Sequence, residues 1–326
     1  ALEMKEKTYA LECRVLGEEH PSTLLTLSGL AVSYSALGER KKALELKEKV
    51  YALQCRVLGE THPDTLVSLS NLAYEHGELG YHHTALALKE KVYTLQCRVL
   101  GEAHPSTLIS LNNLAITYGQ LGEHQKAAML QETAYELTRS VLGEDHPDVL
   151  DSLKNLAYAY EQLENYPKLL EVREKEYALV RKLFGPEHME VSLLQSKLIS
   201  LYDKLGQLEK GAALKEIVYA RRSKLWGEED PQVLGFFHNL AQTYIKLGEY
   251  KKALAHQEKV YTLRCKVLGK EHPETLKSLH NLAYIYNSLK DHPKALQLQQ
   301  EVYSLRYRLL GENGLGSISD KNKGKK

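Results

Sequence analysis

The sequence predicts an all-α protein, a solenoid of antiparallel helix pairs, and three observations carry that prediction. A glycine recurs at Gly17, Gly59, Gly101, Gly143, Gly185, Gly227, Gly269 and Gly311, always 42 residues apart. A tyrosine (Tyr9, Tyr51, Tyr93, Tyr135, Tyr177, Tyr219, Tyr261, Tyr303) and a leucine (Leu30, Leu72, Leu114, Leu156, Leu198, Leu240, Leu282) keep the same interval. Within each period the apolar residues follow helical spacing, and no alternating β-branched run competes. A fixed period of this length is the mark of a repeat architecture.

Residues 1–16 carry only the second half of the pattern, so they read as an orphan second helix and the array is expected to belong to a longer one. Complete units then begin near residues 21, 63, 105, 147, 189, 231 and 273. In the unit at 63, Leu66, Leu69, Leu72, Ala73 and Leu79 share one face of a helix over about 63–79. Gly80 follows as a stop, because glycine takes the left-handed conformation at little cost. Ala85, Leu86, Val92, Tyr93, Val99 and Leu100 form the face of a second helix over about 82–100, ending at Gly101. One such hairpin cannot bury both faces alone, so neighbours must stack. Alanines at Ala31, Ala73, Ala115, Ala157, Ala241 and Ala283, facing Ala43, Ala85, Ala127, Ala253 and Ala295, let the helices approach closely. The solenoid is expected over residues 1–311. Residues 312–326 abandon the apolar pattern and are expected to form a disordered basic tail.

The stretch joining units, RVLGETHPDTL at 56–66, holds residues that could build a site. His20, His62, His104, His146, His188 and His272 recur there, with Asp230 in the sixth position. Stacked helices lie roughly 8–10 Å apart, whereas zinc ligands sit about 2 Å from a shared ion. The histidines therefore form a ladder, not a cage, and no metal or cofactor is expected. A residue before proline avoids the helical region, proline suits the first helical position, and an acid such as Asp64 suits the positive helix start. The stretch is a joint.

Composition narrows the function. The 43 basic and 42 acidic residues leave a net charge of +1, which argues against a nucleic-acid binder. No apolar run is long enough to span a membrane, and no secretory leader is visible at Ala1. Cys13, Cys55, Cys97 and Cys265 share one register without a paired motif, so they read as free thiols and suggest a cytoplasmic protein. No nucleotide, nucleophile-elbow or zinc-protease motif appears, so catalysis by this segment is not expected.

Leu100, Gly101, His104, Pro105, Thr107, Leu108, Leu111, Asn112, Asn113, Leu114, Ala115, Tyr118, Leu121 and Gly122 resemble the 42-residue tetratricopeptide repeats of kinesin light chains. The resemblance extends over residues 1–311. It implies a right-handed superhelix whose first helices line a concave, peptide-binding groove. It does not imply motor-adaptor function, since the heptad segment that joins kinesin light chains to their heavy chains is absent from this sequence. Read through that resemblance, the amide row Asn71, Asn113, Asn155, Asn239 and Asn281, with Lys197 in the same register and Asn112 beside it, faces the groove. Each amide can donate to and accept from a peptide backbone. Tyr74, Ile116, Tyr158 and Tyr284 would supply apolar surface one turn onward. Glu75 and Glu78 place negative charge in the second unit. Lys154, Lys197, Lys204, His238, Lys246, Lys277 and His280 place positive charge further on, which predicts attraction for an acidic peptide segment.

Units five and six depart from the pattern. Ser192 and Gln195 replace core leucines, Pro186 follows Gly185, and Gly211 replaces an alanine. Phe184, Trp226, Phe236 and Phe237 cluster there. Leu194 and Phe236 occupy a register that is serine or threonine elsewhere, either as local repacking or as an apolar patch for a partner. The expected function is a protein- or peptide-binding scaffold. The alternative is a sensor or substrate-recruiting segment of a larger enzyme, such as a signalling ATPase or a protease. The ligand and the oligomeric state are not legible.

Overall fold

A computed structural model describes residues 2–319 of the chain, with side chains through residue 309. Fifteen helices follow one another in those residues. The orphan helix is α1 (Leu2–Val15). The first helices of the seven units are α2 (Pro21–Ala36), α4 (Pro63–Glu78), α6 (Pro105–Gln120), α8 (Pro147–Gln162), α10 (Met189–Lys204), α12 (Pro231–Lys246) and α14 (Pro273–Ser288). The second helices are α3 (Arg40–Leu58), α5 (His82–Leu100), α7 (His124–Leu142), α9 (Tyr166–Phe184), α11 (Leu208–Trp226), α13 (Tyr250–Leu268) and α15 (His292–Ser319). They divide into two compact units, Ala1–Gly185 and Pro186–Lys326.

The ends of each helix follow from the joint. Gly59 takes φ of 90°, a conformation costly for a side chain, and its N–H bonds Cys55 O at 3.1 Å to close α3. His62 then sits extended before Pro63, and its Nδ1 accepts the N–H of Asp64 at 3.2 Å. His20, His104, His146, His188 and His272 cap their helices in the same way. Asp230 accepts from Gln232 and Val233 at 2.8 and 3.2 Å, so the one departure in the ladder preserves the cap. The histidine ladder is therefore a row of helix N-caps. In the last unit Gly311 is not followed by His-Pro, and α15 runs on to Ser319. Residues 320–326 of the expected tail lie outside the described residues.

In the hairpins at 21, 63 and 273 two leucines of the first helix meet an aliphatic pair of the second. Leu66 and Leu69 pack on Val92 and Leu95, and Tyr51 from the preceding second helix closes the cluster. Leu24, Leu27, Val50, Leu53 and Tyr9 repeat it, as do Leu276, Leu279, Val302, Leu305 and Tyr261. Each of these three cores therefore takes a residue from the helix before its hairpin. Neighbours are also pinned by a hydroxyl–carboxylate rung: Tyr286 donates to Glu258 at 2.6 Å, with the Lys294 ammonium 4.2 Å from the ring centre. Tyr34–Glu6, Tyr118–Glu90, Tyr160–Glu132 and Tyr244–Glu216 are equivalent.

The fifth unit changes this core as a set. Where the second unit has Leu66, Leu69 and Leu95, it has Ser192, Gln195 and Arg221. The Arg221 guanidinium donates to Ser192 Oγ and Gln195 Oε1, each at 2.8 Å. Leu194 is buried at 2% exposure, so of its two readings it fits local repacking and not an apolar surface patch. Phe236 is half-buried, with the Arg222 guanidinium 5.0 Å from its ring centre. Phe237 fills the leucine register of the sixth unit, stacked on Tyr219 at 4.0 Å. A side chain at Gly211 would bring its Cβ to 3.3 Å from Tyr202, which explains the loss of alanine there.

Two results follow from these caps and cores. His62→Ala should lower the stability of its unit by about 1 kcal/mol, whereas His62→Asp should hold it, as read by urea denaturation. Arg221→Leu alone should destabilise by about 1–3 kcal/mol by removing the guanidinium that donates to Ser192 and Gln195. The triple change Ser192→Leu, Gln195→Leu and Arg221→Leu should recover the loss.

Candidate functional site

Helices that bury every core leucine still leave a second apolar row in the open. On the first helices of the unit at 1–185, Leu25, Val67 and Ile109 are exposed at 76, 59 and 60%. Seven residues onward Val32, Tyr74, Ile116 and Tyr158 are exposed too. That interval is two helical turns, so both rows lie on one face. Between them stand Asn71 and Asn113, exposed, and Asn155, half-buried. The structure thus gathers Asn71, Tyr74, Asn113, Ile116, Asn155 and Tyr158 on one face of α4, α6 and α8. The row Leu25, Val67 and Ile109 was missed in the sequence, although its spacing of four residues before the amides was available.

Depressions open between successive first helices along this face. One of about 480 Å³ lies between α4 and α6, lined by Ser70, Tyr74, Ser110, Asn113 and Ile116 with Lys89 and Val92 from α5. A second, of about 210 Å³, lies between α6 and α8, lined by Ile116, Gln131, Asn155 and Tyr158 among others. The two share Ile116 and Gln120 as a common border. Asn112 is half-buried on α6, and its Oδ1 has no hydrogen-bond partner among the described residues.

The floor is supplied by the second helices. Lys47, Gln131 and Arg173 are buried in one register, with Lys89 half-buried. Lys47 donates to Glu75 Oε2 at 2.6 Å, and Glu75 also accepts from Ser35 and Arg40 at 2.7 and 3.3 Å. Glu75 is fully buried, so it offers no charge to the groove, contrary to the sequence expectation. A lone polar side chain on the apolar stripe Ala43–Lys47–Val50 was the signal for this register.

In the unit at 186–326 the same face carries Lys197, Asn239 and Lys246, exposed, with Asn281 half-buried and Tyr284 exposed. His238 does not add charge as expected. It is half-buried, and burial together with the Arg264 guanidinium pushes it down to about 4. Its Nε2 lies 3.5 Å from Asn281 Nδ2. Lys277 is held by Glu274 at 2.5 Å, which reduces its reach toward a ligand. Lys154 is half-buried on α8. Among the described residues no three histidines, cysteines or acids converge on a metal position, and no helix is long and apolar enough to cross a membrane. Cys13, Cys55, Cys97 and Cys265 are free.

Tandem helical hairpins, glycine-stopped and stacked through shared cores, define a helical repeat protein. Models of the tetratricopeptide repeat match residues 23–64, 76–140, 106–168 and 232–308, more than half the chain, and the chain belongs to that family. The putative kinesin light chain of Podosopora anserina, with nearly identical repeats, is 31% identical over 63% of this chain and 98% of that one, at a TM-score of 0.44. BtubC (BKLC) of P. vanneervenii is 18% identical over 76% of this chain and 91% of that one, at 0.40. A structure of Naa15/Naa10 bound to HypK-THB shares the fold at 16% identity and a TM-score of 0.53, covering 86% of this chain and 38% of that one. No curated protein matches.

Glu75 gives the floor a measurable signature. Burial pushes its carboxyl up, but hydrogen bonds from Lys47 and Ser35 outweigh that and hold it below its ordinary value of 4.5. A depressed folded value means the stabilisation is complete above 4.5 and is lost as pH falls through the folded value. Glu75→Gln should flatten the acid limb of the stability–pH curve. At neutral pH Glu75→Ala should destabilise by about 3–5 kcal/mol, since Lys47 is left buried and unpaired.

Proposed function

We propose that this chain is a protein- and peptide-binding scaffold whose ligand lies in extended form across the first helices, most completely over α4, α6 and α8. The observation that carries this reading is the pair of exposed apolar rows flanking the exposed amides. Packing does not call for Leu25, Val67, Ile109, Tyr74 or Tyr158 to face water, and a contiguous apolar surface of this kind marks an interaction site.

Geometry supports an extended ligand. Neighbouring first helices stand roughly 8–10 Å apart, and an extended chain advances about 3.3 Å per residue. One amide therefore meets the peptide backbone about every third residue, and apolar side chains between can enter the depressions beside Tyr74, Ile116 and Tyr158. A row of side chains held on packed helices is preformed, which limits the entropy lost on binding. The groove residues at Lys197, Asn239, Lys246, Asn281 and Tyr284 extend the same reading to the second unit. There Lys197 and Lys246 would favour an acidic stretch through long-range attraction.

A short-peptide display library selected on the full chain tests this. Recovered peptides should lose about ten-fold or more in affinity on Tyr74→Ala or Asn113→Ala. Tyr303→Ala, an exposed tyrosine on a second helix, should leave binding unchanged. Recovered peptides indifferent to Tyr74 and Asn113 would contradict the groove, and so would a library that yields no binder.

A further inference from the structure

The second helices each turn one face toward the hairpin that follows, and on α15 that face is open to water. Leu296, Tyr303 and Tyr307 are exposed there at 57, 72 and 68%. Gln299 and Gln300 are exposed beside them, and the spacing of three and four residues puts all five on one face. In earlier second helices the register of Tyr303 is withdrawn from water: Tyr135 is buried, and Tyr9, Tyr51, Tyr219 and Tyr261 are half-buried. Tyr9, Tyr51 and Tyr261 each close the core of the next hairpin. Among the described residues Tyr303 closes no such core. It stacks on Tyr307, with ring centres 6.4 Å apart.

The chemistry of this face also departs from that of the helices it repeats. The register of Gln300 is glutamate in all seven earlier second helices, from Glu6 to Glu258. That acid accepts the rung hydroxyl of the following hairpin, as Glu258 does from Tyr286 at 2.6 Å. The register of Gln299 is lysine or arginine in five of the seven, Lys5 and Lys47 among them. Two cations of α15 turn back into the array: Lys294 lies 4.2 Å from the Tyr286 ring centre, and Arg308 lies 3.9 Å from Glu271. The five residues of the outer face are thus uncharged. A hairpin stacked in the internal manner would find no carboxylate for its tyrosine. Aromatic residues with lysine and glutamate removed are instead the composition of an interface centre.

We propose that this chain pairs with a second copy of itself through the outer face of α15, as a two-fold dimer. A two-fold contact sets one patch against the same patch of the other copy, so charges on it would meet like charges. Gln300 in place of the rung glutamate, and Gln299 in place of the cation, remove that repulsion. An antiparallel pairing centred between Gln300 and Tyr303 sets Gln300 against Tyr303 of the other copy, and Leu296 against Tyr307. The Tyr303 hydroxyl then has the Gln300 amide oxygen as its acceptor across the axis, a neutral version of the tyrosine–glutamate rung. Leu296 and Tyr307 supply apolar contact on either side. One helix face makes a small interface, so the dimer is concentration-dependent and not obligate.

Sedimentation equilibrium of the full chain over a rising concentration series tests this, and it should show a monomer–dimer equilibrium. Tyr303→Lys should weaken the dimer about ten-fold or more. Gln300→Glu should weaken it too, and added salt should restore part of that loss by screening the two carboxylates. Met129→Lys, which adds the same charge at a 58%-exposed site on α7, should leave the equilibrium unchanged. All three variants should keep the helical circular-dichroism spectrum, since each replaces an exposed side chain. A chain that stays monomeric at every concentration would overturn the proposal. So would a dimer indifferent to Tyr303→Lys, or one that Met129→Lys weakens equally.

Discussion

A hairpin of this protein has more apolar surface than it can cover, and its neighbour must cover the rest. Leu27, Leu69 and Leu279 are fully buried, yet each cluster around them is closed by a tyrosine from the preceding helix. Full burial of one such side chain contributes about 1.5–3 kcal/mol, so no unit could be cut from its neighbour without exposing a large share of its stability. The joint at Gly59–Pro63 serves this constraint. It turns the chain within a few residues and caps the next helix with His62, so that successive faces meet in the same register every time.

The same constraint frees the other face. Once the cores are covered, the exposed face of the first helices is not needed for folding, and the residues there can answer to a ligand. Polar groups from the second helices lie beneath that face. Glu75 shows the closed version, a carboxylate held between Lys47, Arg40 and Ser35 with no water access. Lys89 shows the open one. Between the two adjacent sites Glu75 gives way to Thr117, and its partners Ser35 and Arg40 give way to Gly77 and His82.

The fold was legible because a repeat states its own boundaries many times over. Every first helix begins at the residue the period places it, including Met189, which lacks the proline, and the Asp230 substitution keeps the cap by the same chemistry. What a linear period does not display is which neighbour a side chain meets. Glu75 looks like a groove acid until Lys47 and Arg40 are seen around it. Leu194 looks like a misplaced surface leucine until Ser192, Gln195 and Arg221 are recognised as one exchanged polar set. His238 looks like a cation until its burial beside Arg264 is known. At the candidate site the amides and tyrosines could be read from their register. The exposed row Leu25, Val67 and Ile109 could not be separated from core leucines by hydrophobicity alone, and the floor register required knowing that second helices reach beneath first ones.

The central claim is that a peptide lies along α4, α6 and α8 with its backbone on the amides. A crystal structure of the full chain with a library-selected peptide tests it most directly. The account predicts an extended main chain within hydrogen-bonding distance of Asn113 and Asn155, with side chains entering beside Tyr74 and Tyr158. A peptide seated on the outer face of the second helices, or at the loops around the His-Pro joints, would contradict it.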